Sequence, residues 1–524
     1  MKKLKNYAKA FLPTTISMAT QPPESLKTDW LTLPTSDQVF HPSNLNPHLV
    51  KMEYAVRGLL VQTAEKLEAQ LRRGELDDAP FDKIVYCNIG NPQALDDIAL
   101  TFIRQVLALV TYPGLIDAVR GGQISEELFP SDTVARAEDI LASVPGGVGA
   151  YSHSMGIPYV RQKVAQFIEE RDGYPSDPEA IFITDGASPG ISTVIQSLIR
   201  GPNDGILLPV PQYPLYSATV AACGGTQVDY YLDEANGWSL DVAELDRAVT
   251  EAKANGVGPR ALAVINPGNP TGQVMSANNI ADVIQFCADH HLIVLADEVY
   301  QENVYDPDNK PFVSFKKALM DSAPGVRDRV ELFSFHSVSK GMLGECGLRG
   351  GYMEAHNIHH DGMAQLYKNV SVSLCSNTIG QLTVGLMVDP PQLGDPSYHL
   401  YTKQYRKQYK SLKRRALALT DALNSMEGVS CKPASGAMYA FPQITLPAAV
   451  AAAASDLYMS PDTYYCLELL KGTGVCVVPG SGFGQVDGTY HFRTTFLPPE
   501  HELAKVGETV AKWHAEFMDK HRGS

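Results

Sequence analysis

No run of about 18 apolar residues, the length a helix needs to cross a bilayer, occurs in this chain, so no segment is expected to span a membrane. An excess of cations is missing as well. Lys and Arg number 43 against 58 for Asp and Glu, and the formal net charge is −15 with a pI near 5.4. That balance argues against a nucleic-acid partner or an anionic membrane surface, since either calls for a cationic footprint that displaces counterions. The eight cysteines, Cys87, Cys223, Cys287, Cys346, Cys375, Cys431, Cys466 and Cys476, form no C-x-x-C pair and no metal-like spacing. They read as reduced, mostly buried small hydrophobes, which implies an intracellular compartment and no metal. Acids are absent from the first 23 residues, which carry Lys2, Lys3, Lys5 and Lys9. A mitochondrial presequence has this character but favours arginine, and none is present. Cytoplasm is therefore the first expectation and the mitochondrial matrix the alternative.

What is present is a large core. With 524 residues and 44% hydrophobic content the chain has material for two domains or one large one. An early helix is expected over 57–73, ending at Gly74 as its C′ residue. From about residue 180, short β-branched runs alternate with helical patterns: AIFIT then PGISTVIQSLIR, GILLPVP then PLYSATVAAC, TQVDYYL then LDVAELDRAVTEAK, RALAVIN then ANNIADVIQFCADH, then LIVLAD and VELFSFHS. This alternation predicts a mostly parallel sheet covered by helices. After about residue 400 a long basic helix and mixed segments suggest a second, smaller domain. The alanine tract over 448–455 reads as a solvent-facing insertion or a helix start.

Ligands of an open parallel sheet bind beyond the carboxyl ends of its strands, and five polar residues are expected there: Ser188 after AIFIT, Tyr213 after GILLPVP, Asn269 after RALAVIN, Asp297 ending LIVLAD, and Lys340 after VELFSFHS. Each alone has a bland reading. A DExY sequence can be a charged strand end, NPGNPTG a turn built on two Asn-Pro steps and Gly272, and SVSKGMLGECGLRGG a flexible loop with a solvated lysine. Five at equivalent strand ends suggest one site, and the glycines before Arg349 let backbone approach a ligand closely.

At these residues the chain resembles the fold type I pyridoxal-phosphate aminotransferases, and within them the alanine aminotransferase group. The segments that carry the resemblance are YCNIGNPQ, TFIRQVLAL, GGVGAYSHSMGI, VRQKVAQFIEERDG, DGASPGI, PVPQYPLYSA, INPGNPTGQV, ADEVYQENVY, SFHSVSKGMLGECGLRGGYME and VCVVPGSGFGQVDGTYHFRTTFLP, from about residue 50 to the end. Two departures stand out: the segment after NPQ reads ALDDIALTF, and Met342 occupies a position often aromatic.

The resemblance implies an α/β fold with a large, mostly parallel doubly wound domain and a smaller α+β domain. The chain would divide into an N-terminal arm or targeting segment (1–48), the N-terminal part of the small domain (49–117), the large cofactor-binding domain (118–400) and the C-terminal part of the small domain (401–524). It implies pyridoxal 5′-phosphate as cofactor. Lys340 would join the cofactor aldehyde and then shuttle a proton, Asp297 would hold the pyridine nitrogen protonated, and Tyr300 and Asn269 would bond the phenolic oxygen. Tyr213 would stack on the ring, and Ala187, Ser188, Ser337, Ser339 and Arg349 would cradle the phosphate. Arg493 would take the substrate α-carboxylate bidentately, with Asn269 beside it, and Gly90 resembles the small residue packed over substrate. Tyr151 resembles the tyrosine that reaches the phosphate of the other subunit, which requires a homodimer. The implied reaction is L-alanine plus 2-oxoglutarate giving pyruvate plus L-glutamate, ping-pong through pyridoxamine phosphate. A glutamate:glyoxylate or alanine:glyoxylate aminotransferase is the alternative. Lyase chemistry on a related fold is disfavoured by the narrower motifs. A cofactor-binding regulator without activity is disfavoured by the acidic chain, which offers no DNA-binding segment.

Overall fold

A strand buried on both faces is largely apolar, whereas a half-exposed edge strand alternates, and two neighbouring strands of the central sheet show the contrast. The computed structural model describes residues 38–54, 58–76, 79–95 and 99–522. The lysine-bearing N-terminal segment and part of ALDDIALTF lie outside them. Seven strands form the main sheet: β1 Ile181–Thr184, β2 Asp204–Val210, β3 Thr226–Tyr231, β4 Gly258–Ile265, β5 Ile293–Asp297, β6 Leu332–Ser337 and β7 Gly351–His356. Their order is β1-β7-β6-β5-β4-β2-β3. Interior β2 is buried at every residue, while edge strand β3 exposes Gln227, Asp229 and Tyr231. The pairs β2/β3, β2/β4, β4/β5 and β5/β6 are parallel. Strand β7, not foreseen because it follows a glycine-rich stretch without an intervening helix, runs antiparallel to both β1 and β6.

Helices cover both faces. Helix α1, Leu59–Arg72, buries Leu60, Val61 and Ala64 and ends before Gly74, whose φ of +65° suits a C′ residue. Helix α2, Thr101–Thr111, buries Phe102, Ile103, Val106, Leu107, Leu109 and Val110. These pack into one cluster with Ile181, Ile183 and Tyr352 of the main sheet and with Leu382 of a later helix. Residues 101–111 thus pack in one core with strands of the main sheet. Helix α3, Ala187–Leu198, follows β1 and packs Ile191, Val194 and Ile195 in the cluster that holds Ala263, Leu295, Phe333 and Phe335. The alanine tract forms the helix Ala448–Ser455, but Val450 and Ala454 are fully buried, so it is a packed element rather than a solvent-facing insertion.

The C-terminal region adds a short antiparallel sheet of β8 Tyr439–Ala440, β9 Val478–Pro479 and β10 Phe492–Thr495, in the order β8-β10-β9. A separate two-stranded sheet ties the early part of the chain to this region: Val85–Tyr86 pairs in parallel with Val475–Cys476.

Candidate active site

Strand alternation decides which polar residues meet. Leu295 points to the α3 side and Val294 and Ala296 to the other, so Asp297, two residues beyond Leu295, continues onto the α3 face. By the same rule Ser337 continues the face of Phe333 and Phe335. Asn269 and Tyr300 lie just past the carboxyl ends of β4 and β5, and Lys340 just past β6.

Contacts knit these residues together. Lys340 Nζ donates to the Gly90 carbonyl at 2.9 Å and sits 5.7 Å from the Tyr300 ring centroid. Asn269 Nδ2 lies 3.5 Å from the Tyr300 hydroxyl, and Asn269 Oδ1 accepts from Arg493 Nη1 at 3.0 Å. Arg493, on β10, is only 1% exposed. Its Nη2 donates to the Asn88 carbonyl, its Nε has no partner, and its guanidinium carbon lies 4.2 Å from the Tyr439 ring centroid and 4.6 Å from that of Phe483. Gly90 has no room for a side chain: a Cβ there would stand 2.4 Å from the Tyr439 hydroxyl and 3.2 Å from Lys340 Nζ.

Asp297 is almost fully buried, and that burial pushes its carboxyl up from the ordinary 3.8 to about 6. Bonds from the Tyr216 hydroxyl at 3.1 Å and the Val299 N–H at 3.4 Å, together with the Lys340 charge, work in the opposite direction. The Tyr300 phenol is held well above its usual range, chiefly by burial and by Tyr439. Tyr213 is likewise raised by burial and by its hydroxyl pair with Tyr54, 2.8 Å away.

The second cluster lies at the N-terminus of α3. Gly186 precedes it with φ +96° and supplies no side-chain cap, leaving the first-turn N–H groups of Ala187 and Ser188 open. Arg349, itself left-handed at φ +54°, donates to the carbonyls of Cys346 at 2.9 Å and Asp185 at 2.8 Å. Those carbonyls orient the guanidinium without neutralising it. Ser337 and Ser339 are buried nearby on the β6 side. Tyr151 stands apart from every other site residue in this single chain, 79% exposed.

The sequence reading missed four contributors. Tyr216 sits one helical turn after Tyr213 in PQYPLYSA, a spacing that was a usable signal. Tyr54, Tyr439 and Phe483 had none, because their places depend on long-range packing.

Comparison with known proteins first defines a class. A solved alanine aminotransferase from Pyrococcus furiosus superposes with a TM-score of 0.69 at 23% identity, over 90% of this chain and all of that one; the fold is that of the fold type I aminotransferases. The family model for aminotransferase class I and II matches residues 123–510. The chain belongs to this family of pyridoxal-phosphate-dependent transaminases. It is similar to alanine aminotransferase 1, mitochondrial, of Arabidopsis thaliana, at 52% identity over 91% of this chain and 87% of that one. It is also 48% identical to glutamate--glyoxylate aminotransferase 2 of the same plant, over 91% and 96%.

The residues present fit the cofactor. A buried carboxylate with no cation bonded to it among the described residues suits a protonated ring nitrogen, the open N–H groups of α3 beside Arg349 suit a phosphate, and the Lys340 amine, bonded only to a backbone carbonyl among the described residues, is available to an aldehyde.

Proposed function

We propose that this transaminase exchanges the amino group between L-alanine and 2-oxoglutarate. The reading is carried by the similarity to alanine aminotransferase 1 of Arabidopsis over nearly the whole chain. It is supported by Arg493, a buried guanidinium whose Nε has no partner among the described residues and whose Nη1 bonds Asn269, itself beside Tyr300. When bound, the cofactor supplies an aldehyde that can carry the amino group and a ring that accepts the electron pair released at the substrate α-carbon.

This chain's residues do the rest. Arg493 and Asn269 orient the α-carboxylate, with Gly90 leaving space over the substrate. Lys340 Nζ would act as the proton carrier, taking the proton from the substrate α-carbon and holding it for return. The Asp297 carboxylate would hold positive charge at the ring nitrogen, Tyr300 and Asn269 would hydrogen-bond the phenolic oxygen, and Tyr213 would cover the ring. Ala187, Ser188, Ser337, Ser339 and Arg349 hold the phosphate. The chain works as a homodimer in which Tyr151 completes the phosphate site of the partner subunit. For compartment, the mitochondrial name of the Arabidopsis relative favours the mitochondrial matrix over the cytoplasm.

Mixing loaded enzyme with single amino acids, and following cofactor absorbance, tests the reading. Alanine and glutamate should each convert the cofactor, and pyruvate and 2-oxoglutarate should each restore it. Restoration by glyoxylate but not by pyruvate would move the assignment to the glyoxylate-using alternative. The Arg493→Lys variant should lose on the order of 10² in kcat/KM for alanine and glutamate alike, because a point charge cannot replace the planar fork. Loss confined to glutamate would place this arginine at the side-chain carboxylate.

A further inference from the structure

Tyr439, on β8, meets four site groups at once, although no motif points to it. It is 2% exposed. Its ring centroid lies 4.2 Å from the Arg493 guanidinium carbon, and that of Phe483 lies 4.6 Å from the same atom. The same ring packs edge-on against Tyr300, centroids 6.1 Å apart at 83°, and the two hydroxyls are 3.4 Å apart. The space where a Gly90 Cβ would sit is bounded by the Tyr439 hydroxyl and Lys340 Nζ.

We propose that Tyr439 is a positioning residue with two separable parts: its ring fixes the plane of the Arg493 fork, and its hydroxyl, with the Gly90 carbonyl, fixes the place and charge of the Lys340 amine. This rests on Arg493 as the α-carboxylate seat and Lys340 as the proton carrier. The ring argument is geometric. With two aromatic rings within 4.6 Å of the guanidinium carbon, the approach to Arg493 is restricted towards the guanidinium plane, where a carboxylate can meet Nε and take a neighbouring N–H from its present carbonyl partner. The register supports it, because Tyr439 pairs with Thr495 across β8/β10, which brings its ring over Arg493 two residues earlier on β10. The hydroxyl argument is electrostatic. Burial alone would raise a phenol, yet the Lys340 and Arg493 charges and the bond with Tyr300 bring Tyr439 below its ordinary value. An oxygen in that setting stabilises positive charge on Lys340.

The experiment compares Tyr439→Phe, Tyr439→Leu and, as a control, Arg493→Lys in the loaded enzyme. Glutarate, an unreactive dicarboxylate, probes the carboxylate seat, and the pH titration of cofactor absorbance probes the lysine. Loss of a desolvated cation–π face predicts that Tyr439→Leu weakens glutarate binding about tenfold or more, while Tyr439→Phe holds it within about threefold. Tyr439→Phe should instead move the titration midpoint by about half a pH unit or more. If Arg493→Lys leaves glutarate binding intact, the seat itself is misassigned. If Arg493→Lys weakens it and Tyr439→Leu does not, the ring argument is overturned. An unmoved midpoint in Tyr439→Phe overturns the hydroxyl argument. Should the Leu variant fail to fold, Tyr439→Met, unbranched and without a π face, takes its place under the same criteria.

Discussion

A carboxyl group enclosed by protein ionises against resistance, and Asp297 illustrates what a site stores before its cofactor arrives. Its folded value of about 6 lies above the ordinary 3.8, so between roughly pH 4 and 6 the folded state keeps a proton that the unfolded state has released. Stability of the cofactor-free protein therefore falls as pH rises through that window, by up to about 3 kcal/mol, and stays reduced above it. The variant Asp297→Asn removes this penalty while retaining an oxygen for the Tyr216 hydroxyl. In cofactor-free protein it should melt about 2 °C or more above the parent at pH 8, with the difference closing near pH 4.5. The loaded enzyme should show the reverse, together with a fall in kcat much larger than any change in KM, because the carboxylate acts on charge that develops in the transition state. Thermal melts at the two pH values check the first half. A gap independent of pH would show that Asp297 is not the source of the strain.

Contiguous elements were the part most readable from sequence. Strands β1 to β6 were foreseen because buried parallel strands are apolar runs and their helices keep a 3.6-residue period; polar residues at the runs' ends then fell together by topology alone. Elements held by long-range packing were not readable. Strand β8 is two residues long, and only pairing with β10 brings Tyr439 beside Arg493; α2 carries an apolar stripe that says nothing about which core it joins. The turn from β1 into α3 shows how one residue serves an element. Gly186 holds φ +96°, and a Cβ there would lie 2.7 Å from Arg349 Nη2. The neighbour is a flexible tip, so Gly186→Ala displaces the guanidinium, while the backbone strain at φ +96° and ψ 171° itself costs about 1–3 kcal/mol. The variant should fold yet bind pyridoxal 5′-phosphate about tenfold more weakly, the equivalent of one misplaced charge-assisted contact. Titration of the cofactor-free variant, followed by absorbance, reads this directly, and an unchanged dissociation constant would remove Arg349 and the α3 turn from the phosphate site.

At the scale of the whole molecule the open question is what covers Tyr151. Its ring is 79% exposed, and Val372 and Leu374, at 81% and 51%, are exposed in the same neighbourhood. The backbone there is firmly tied: Ser154 Oγ donates to the Leu374 carbonyl at 2.7 Å, Gln381 Nε2 to Ser152 Oγ at 2.9 Å, and Asn377 N to Asp185 Oδ1 at 2.6 Å, beside the α3 turn. A hydrogen-bonded surface that displays apolar side chains next to the proposed phosphate site suits a two-fold interface, in which each subunit offers the other the same residue. Co-expression of Lys340→Ala subunits with Tyr151→Ala subunits separates the alternatives. If Tyr151 serves the partner, a mixed dimer holds one site with both defects and one with neither. Random pairing then returns about a quarter of the parental activity at limiting cofactor, far above either variant alone. If Tyr151 serves its own chain, every site in the mixture carries one defect and mixing restores nothing. Sedimentation of the mixture, showing that mixed dimers have formed, makes the second outcome decisive against the cross-subunit role.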